Sequence, residues 1–189
     1  MWHGPRMSAT IPVRTVTTAE LTAEDLLQMR ALLWAAFPTG EEGFSEDDWQ
    51  HALGGRHFVV ERDGEIVSHA SVIERELQIG GVPLRTGYVE AVGTHPDHQR
   101  QGLGTAVMRA AGAHIAATFE LGGLGTGEHA FYGRLGWETW RGRAYVRTID
   151  GPERTPDDEG FIMILRTPST QDLDPDASIS CEWRPGDVW

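Results

Sequence analysis

Gly87-Tyr-Val-Glu-Ala-Val-Gly-Thr-His-Pro-Asp-His-Gln-Arg-Gln-Gly-Leu-Gly-Thr-Ala-Val-Met108, with its alanine-rich continuation to Ile115, decides how this chain is read. An apolar β-type run leads through a polar turn at Pro96 into a glycine corner, Gln99 to Gly104, and then into a helix. The order predicts a strand, an anion cradle and a helix. Glycine lets backbone approach a ligand closely, and the first-turn N–H groups of a helix have no internal acceptors, so they can hold phosphate oxygens. A pyrophosphate is expected here. Two glycines at a helix start also serve a tight turn, so the whole arrangement has to carry the ligand reading. All sixteen basic residues are arginine, which excludes a Walker loop, and the Gly-x-Gly-x-x-Gly dinucleotide fingerprint is absent after the strand.

Upstream of this stretch, Ile11 to Thr17 is a short β-type run with Val13 and Val16 as candidates for a buried face. Thr22-Ala-Glu-Asp25 opens an amphipathic helix in which Leu26, Leu27, Met29, Leu32, Leu33 and Ala36 recur at helical spacing up to Pro38. Ser45 can cap a short helix bearing Trp49 and Leu53 that stops at Gly54-Gly55. His57 to Arg62 and Glu65 to Ile79, joined by Asp63-Gly64, predict an antiparallel hairpin, and Gly80-Gly81 turns into the strand Val82 to Thr94. Downstream, Leu103, Val107, Ala111 and Ile115 form a narrow apolar stripe suited to lying on a sheet. Phe119 to Leu124 predicts a strand, His129 to Leu135 a short helix, and Glu138 to Thr148, Gly160 to Thr167 and Ile179 to Trp183 three more strands. The fold class is α+β with a mixed, mainly antiparallel sheet: a flexible arm over residues 1–10, then a single domain over 11–189.

Gln99-x-x-Gly102-x-Gly104 after such a strand resembles the acetyl-coenzyme A signature of the GNAT N-acetyltransferase superfamily. The likeness narrows to the aminoglycoside 2′-N-acetyltransferases through Phe44-Ser-Glu-Asp-Asp-Trp49, Gly87-Tyr-Val-Glu90, Tyr132 with Gly136-Trp137, Arg154 to Gly160, and the terminal nonapeptide Cys181 to Trp189. It implies a GNAT-type fold, acetyl-coenzyme A as co-substrate, a polycationic aminoglycoside as acceptor, and a homodimer. In such enzymes the acceptor amine attacks the thioester directly, which needs a neutral nitrogen, donors for the carbonyl and a proton for the thiolate. The resemblance gives Glu90 the task of removing the ammonium proton, through water, and Tyr132 that of protonating the thiolate. It places backbone groups of Val92 and Thr94 on the pantetheine arm and the run Gln99, Arg100, Gln101, Gly102, Leu103, Gly104 and Thr105 around the pyrophosphate. For the acceptor it implies Glu90, Ala91, Asp158, Asp187 and the terminal carboxylate of Trp189. Relatives carry an aspartate directly before the Phe44 segment, where this chain has Gly43 after Glu41-Glu42, and a longer loop between Leu124 and Tyr132; Glu42 and Thr126 are the available substitutes.

The net charge is −12, and between Asp150 and Trp189 ten acidic residues stand against three arginines. Such a field repels nucleic acid and anionic membranes and steers a polycation, although acidity also serves solubility. The N-terminus lacks the apolar core of a signal peptide, no apolar run nears eighteen residues, and Cys181 has no partner, so a cytoplasmic location is expected. Eight histidines form no zinc spacing, and no metal is expected. Two other functions fit the same residues: acetylation of another cationic amino sugar or polyamine, and a non-catalytic acyl-coenzyme A sensor.

Overall fold

The computed structural model describes residues 10–38 and 43–189. The expected arm, apart from Thr10, and the Glu41-Glu42 loop lie outside them. Strand β1 (Arg14–Thr17) and helix α1 (Ala23–Ala36) are followed by α2 (Glu46–Ala52), β2 (Arg56–Arg62), β3 (Glu65–Ile79) and β4 (Val82–Thr94). After β4 come α3 (Leu103–Thr118), β5 (Leu121–Gly125), α4 (His129–Gly133), β6 (Glu138–Thr139), β7 (Ala144–Thr148), β8 (Gly151–Arg154), β9 (Ile162–Arg166) and β10 (Ile179–Glu182). Thr22 and Ser45 start α1 and α2 with reciprocal capping boxes to Asp25 and Asp48.

The strands form one sheet in the order β6-β9-β5-β4-β3-β10-β7-β8, with β2 pairing the first half of β3 and β1 pairing β2. Pairing is antiparallel except for β4 with β5 and β7 with β10. Helix α3 lies on the sheet through Leu103, Val107, Met108, Ala111 and Ile115, all buried. At roughly 2 kcal/mol for each large apolar side chain removed from water, this stripe fixes the helix and its N-terminus firmly. Helix α1 packs from Met29, Leu32 and Leu33 against Val59 and Ile66, with Trp49 of α2 beside them.

Two expectations need correction. The run Glu138 to Thr148 is two strands: β6 pairs β9 at one edge of the sheet and β7 pairs β10 near the other. The break falls at Trp140 to Arg143, where Gly142 donates its N–H to the Pro175 carbonyl and Trp140 Nε1 donates to the Ala177 carbonyl. Between the expected strands that end at Thr148 and begin at Gly160, the chain is not a bare connection but forms β8 and a 3-10 turn, Pro156–Asp158.

At Gly142 a Cβ would lie 1.7 Å from the Ala177 carbonyl oxygen. Gly142→Ala is therefore expected to lower the unfolding free energy by about 3 kcal/mol through forced backbone separation, read as a reduced midpoint in urea. An unchanged midpoint would show that this crossing has slack.

Candidate active site

Strands β4 and β5 pair only through Thr86, Gly87 and Tyr88 against Leu121, Gly122 and Gly123. Beyond Tyr88 they part. On its other edge β4 bulges: Ser71 faces Glu90 and His69 faces Gly93, so Ala91 and Val92 together stand opposite Ala70 alone. Ala91 adopts φ 51°, a left-handed conformation that alanine rarely takes. Parting and bulge open a cleft of about 550 Å³ lined by Glu90, Ala91 and Val92 on one side and Leu124, Gly125, Thr126, Glu128 and Tyr132 on the other. Phe44 and Asp48 at the start of α2, and Arg184, Asp187 and Trp189 from the C-terminal segment, complete its walls.

The most consequential contact was invisible in the sequence reading. Arg184 Nη1 donates to Glu90 Oε1 at 2.6 Å, with both side chains only 14% exposed. Arg184 Nε donates to the Asp187 carbonyl, and Asp187 Oδ1 accepts from the Trp189 N–H, so the C-terminal segment is folded around the glutamate. Burial pushes the Glu90 carboxyl above its ordinary range, and the Arg184 guanidinium opposes that rise. Beneath them lies Tyr88, fully buried, with the guanidinium carbons of Arg75 and Arg184 at 4.6 and 5.8 Å from its ring centre. A Cβ on Gly125 would lie 3.4 Å from the main-chain carbonyl carbon of Trp189, which sets that group beside the parted end of β5. The Trp189 indole N–H donates to Thr155 Oγ1.

Tyr132 lies in α4 against Phe131 and Trp137, and its hydroxyl has no hydrogen-bond partner among the described residues. Burial, with Glu128 nearby, raises its pKa, so the phenol is protonated at neutral pH. Asp158 is an acceptor candidate that does not line the cleft. It sits in the 3-10 turn after β8, and burial first, then the Asp187 charge, raises its carboxyl. Glu42 lies outside the described residues. Asp48 lines the cleft but is already engaged, accepting from the N–H and hydroxyl of Ser45.

At the far end of β4 the glycine corner is built as an anion cradle. Gly102 (φ 80°) caps α3 without any side-chain hydrogen bond, leaving first-turn N–H groups of Leu103, Gly104 and Thr105 for a ligand. A Cβ on Gly104 would lie 3.4 Å from Thr94 Oγ1, filling space that glycine leaves open. Arg100 (φ 60°), Gln101 and Gly102 are exposed. The Gln99 side-chain amide donates to the Thr94 carbonyl and braces the turn. These residues fit a pyrophosphate-bearing group with an extended arm running down β4 to the cleft. No cluster of metal-ligating side chains occurs among the described residues, and no helix there is long and apolar enough to cross a membrane.

Behind the bulge is a buried histidine pair. His57 Nδ1 and His69 Nε2 are 2.9 Å apart, His69 Nδ1 is 2.7 Å from the Ala91 carbonyl, and His57 Nε2 is 2.7 Å from Thr18 Oγ1. Both side chains are fully buried, and burial depresses them to about 4 for His57 and about 3 for His69. Their unfolded-state values lie near 6.5, so stability from the neutral pair is complete above that pH and lost as pH falls toward 4. Roughly two extra protons are expected to enter on unfolding near pH 5, read from urea denaturation at pH 7.5, 6 and 5. A slope unchanged when both histidines are replaced by Gln would assign the acid loss elsewhere.

With this geometry in place, comparison with known proteins is decisive. Residues 17–140 match the family described as Acetyltransferase (GNAT) domain. The chain is a GNAT acetyltransferase. It is 41% identical over 180 residues to an aminoglycoside 2′-N-acetyltransferase of Mycolicibacterium fortuitum, covering 93% of this chain and 91% of that one. Among solved structures, a GNAT family N-acetyltransferase of Escherichia coli in complex with coenzyme A superposes with a TM-score of 0.66 at 15% identity, over 95% of this chain and 93% of that protein. A probable N-acyltransferase of Enterococcus faecalis superposes over 70% of this chain but 33% of its own length, with a TM-score of 0.56 at 19% identity. The GNAT fold thus accounts for the mixed sheet flanked by helices.

Proposed function

We propose that this GNAT acetyltransferase moves an acetyl group from acetyl-coenzyme A to the 2′-amino group of an aminoglycoside. The observation that supports it most is the cleft itself, which brings the carboxylates of Glu90, Glu128 and Asp187 together with the Tyr132 phenol; the glycine corner follows the strand that carries Glu90. When bound, acetyl-coenzyme A supplies an activated thioester. Leu103, Gly104 and Thr105 would hold its phosphates by their N–H groups with Arg100 adding charge, and Val92 and Thr94 would offer backbone groups to its arm. Glu90 would take the proton from the acceptor ammonium, directly or through water, so that a neutral nitrogen faces the reacting carbonyl. Tyr132, kept protonated by burial, would donate to the departing sulfur. Asp187, the main-chain end of Trp189, Ala91 and, through Asp187, Asp158 would receive the other ammonium and hydroxyl groups of the acceptor. The outcome would be loss of one positive charge from a polycationic antibiotic, and with it resistance, in a cytoplasmic, homodimeric enzyme.

A thiol-release assay over an aminoglycoside panel is expected to show turnover with acceptors bearing a 2′-amine and none with those bearing a 2′-hydroxyl, and NMR of one product to place the acetyl group on that nitrogen. Modification at another nitrogen would overturn the regiochemistry. Turnover confined to other polyamines or amino sugars would replace the acceptor class.

A further inference from the structure

The histidine pair behind the bulge is more than filling. Ala91 offers only a carbonyl oxygen to His69 Nδ1, at 2.7 Å, so His69 Nδ1 must carry the proton and Nε2 must be bare. His57 Nδ1, 2.9 Å from that bare nitrogen, must then be the donor, which leaves His57 Nε2 as an acceptor. Thr18 supplies the matching hydroxyl at 2.7 Å, and its oxygen accepts in turn from the Gly54 N–H at 2.9 Å. With both rings neutral, as their burial favours, no other assignment satisfies the ring contacts; the Thr18 hydroxyl proton goes to His57 Nε2 at 2.7 Å rather than to the Gly55 carbonyl at 3.4 Å, which accepts from the Thr18 N–H. The hydrogen bonds run one way, from the Gly54 N–H through Thr18, His57 and His69 to the Ala91 carbonyl.

That carbonyl shares a peptide plane with the Val92 N–H. No peptide bond in the described residues is cis, and in a trans peptide the two groups point in opposite directions. Drawing the Ala91 oxygen toward β3 and the α1 face therefore turns the Val92 N–H away from them, toward the cleft where β4 has left β5. The left-handed Ala91 is a strained conformation that persists only where its surroundings hold it, and the His69 contact to its carbonyl is one such restraint.

We propose that His69, with its tautomer fixed by His57 and Thr18, is a positioning residue that aims the Val92 N–H at the carbonyl oxygen of the acetyl thioester. This rests on acetyl transfer occurring in this cleft. A preorganised donor accelerates reaction by meeting charge as it develops, and a misdirected one loses rate with little loss of ground-state binding.

Long-range proton–nitrogen NMR of the ring nitrogens in the wild-type protein tests the relay independently of catalysis. Both His57 and His69 are expected as the Nδ1–H tautomer, and an Nε2–H tautomer in either would overturn the proposal. In kinetics, His69→Leu is expected to lower kcat about tenfold or more while the KM for acetyl-coenzyme A stays within about twofold. His69→Asn, whose amide nitrogen can stand where Nδ1 stood, is expected to recover most of the rate. Full activity in folded His69→Leu, or no recovery in folded His69→Asn, would sink the aiming role. A wild-type protein that acetylates no amine would instead refute the functional reading, and the tautomers would then decide the relay alone.

Discussion

Glu90→Gln is expected to lower kcat/KM for a 2′-amino aminoglycoside at least a hundredfold at neutral pH, while acetyl-coenzyme A binds as before. The substitution keeps the shape of the side chain and an oxygen that can accept from Arg184, but removes the group that can take a proton. General-base catalysis is worth about 10²–10⁴ in rate, so losing it sets the size of the effect. Donor binding is spared because the corner at Gly102 to Thr105 lies beyond the C-terminal end of β4, outside the lining of the cleft that Glu90 faces. Steady-state kinetics from pH 6 to 9 and calorimetric binding of coenzyme A separate the two. A rate within twofold of wild type at neutral pH would remove Glu90 from proton transfer.

The second large effect belongs to Arg184. Its guanidinium opposes the rise that burial imposes on Glu90, so Arg184→Met should let the Glu90 pKa climb further. A raised carboxyl is protonated over more of the working pH range, and the acidic limb of kcat/KM should therefore move to higher pH. Breaking a buried pair by removing one partner also leaves an uncompensated charge, at a cost of about 3 kcal/mol unless the carboxyl protonates. Stability of the variant should consequently recover as pH falls, opposite in sign to the behaviour expected from the histidine pair. Adding Arg184→Met to Glu90→Gln should cost little more activity, because the two act as a unit. An acidic limb that stays in place would mean that Arg184 only anchors the C-terminal segment.

Much of this architecture was legible from local pattern. The Asp63-Gly64 hairpin, the capped starts of α1 and α2, the stripe on α3 and the cradle before it all depend on spacings within a few residues. Glu90 and Tyr132 came from family motifs and face one cleft. Arg184 did not come forward because its partner is 94 positions away and nothing in the spacing of an arginine betrays it. The His57–His69 pair had a faint signal, since both lie inside a hairpin whose register the turn fixes. A slip between Val60 and Glu61 disturbs that register, and two histidines in strands read as ordinary polar residues. The split of Glu138 to Thr148 was hidden because its cause, the main chain at Pro175 and Ala177, lies more than thirty residues downstream.

β10 lies between β3 and β7, and within the sheet's order it is what ties the β7–β8 hairpin to the strands before it. The hairpin must therefore wait for a strand that begins twenty-five residues after its own end before it can join the sheet. The same arrival brings Glu182 to Arg75 and Arg184 to Glu90, across separations of 107 and 94 residues. Closing such long loops is slow, so these pairings belong late in folding. The donor end, built from β4, α3 and their neighbours, can form first. The end that carries the Glu90–Arg184 pair is assembled last, and a chain weakened in β10 would keep the glycine corner but lose the pair proposed to meet the amine.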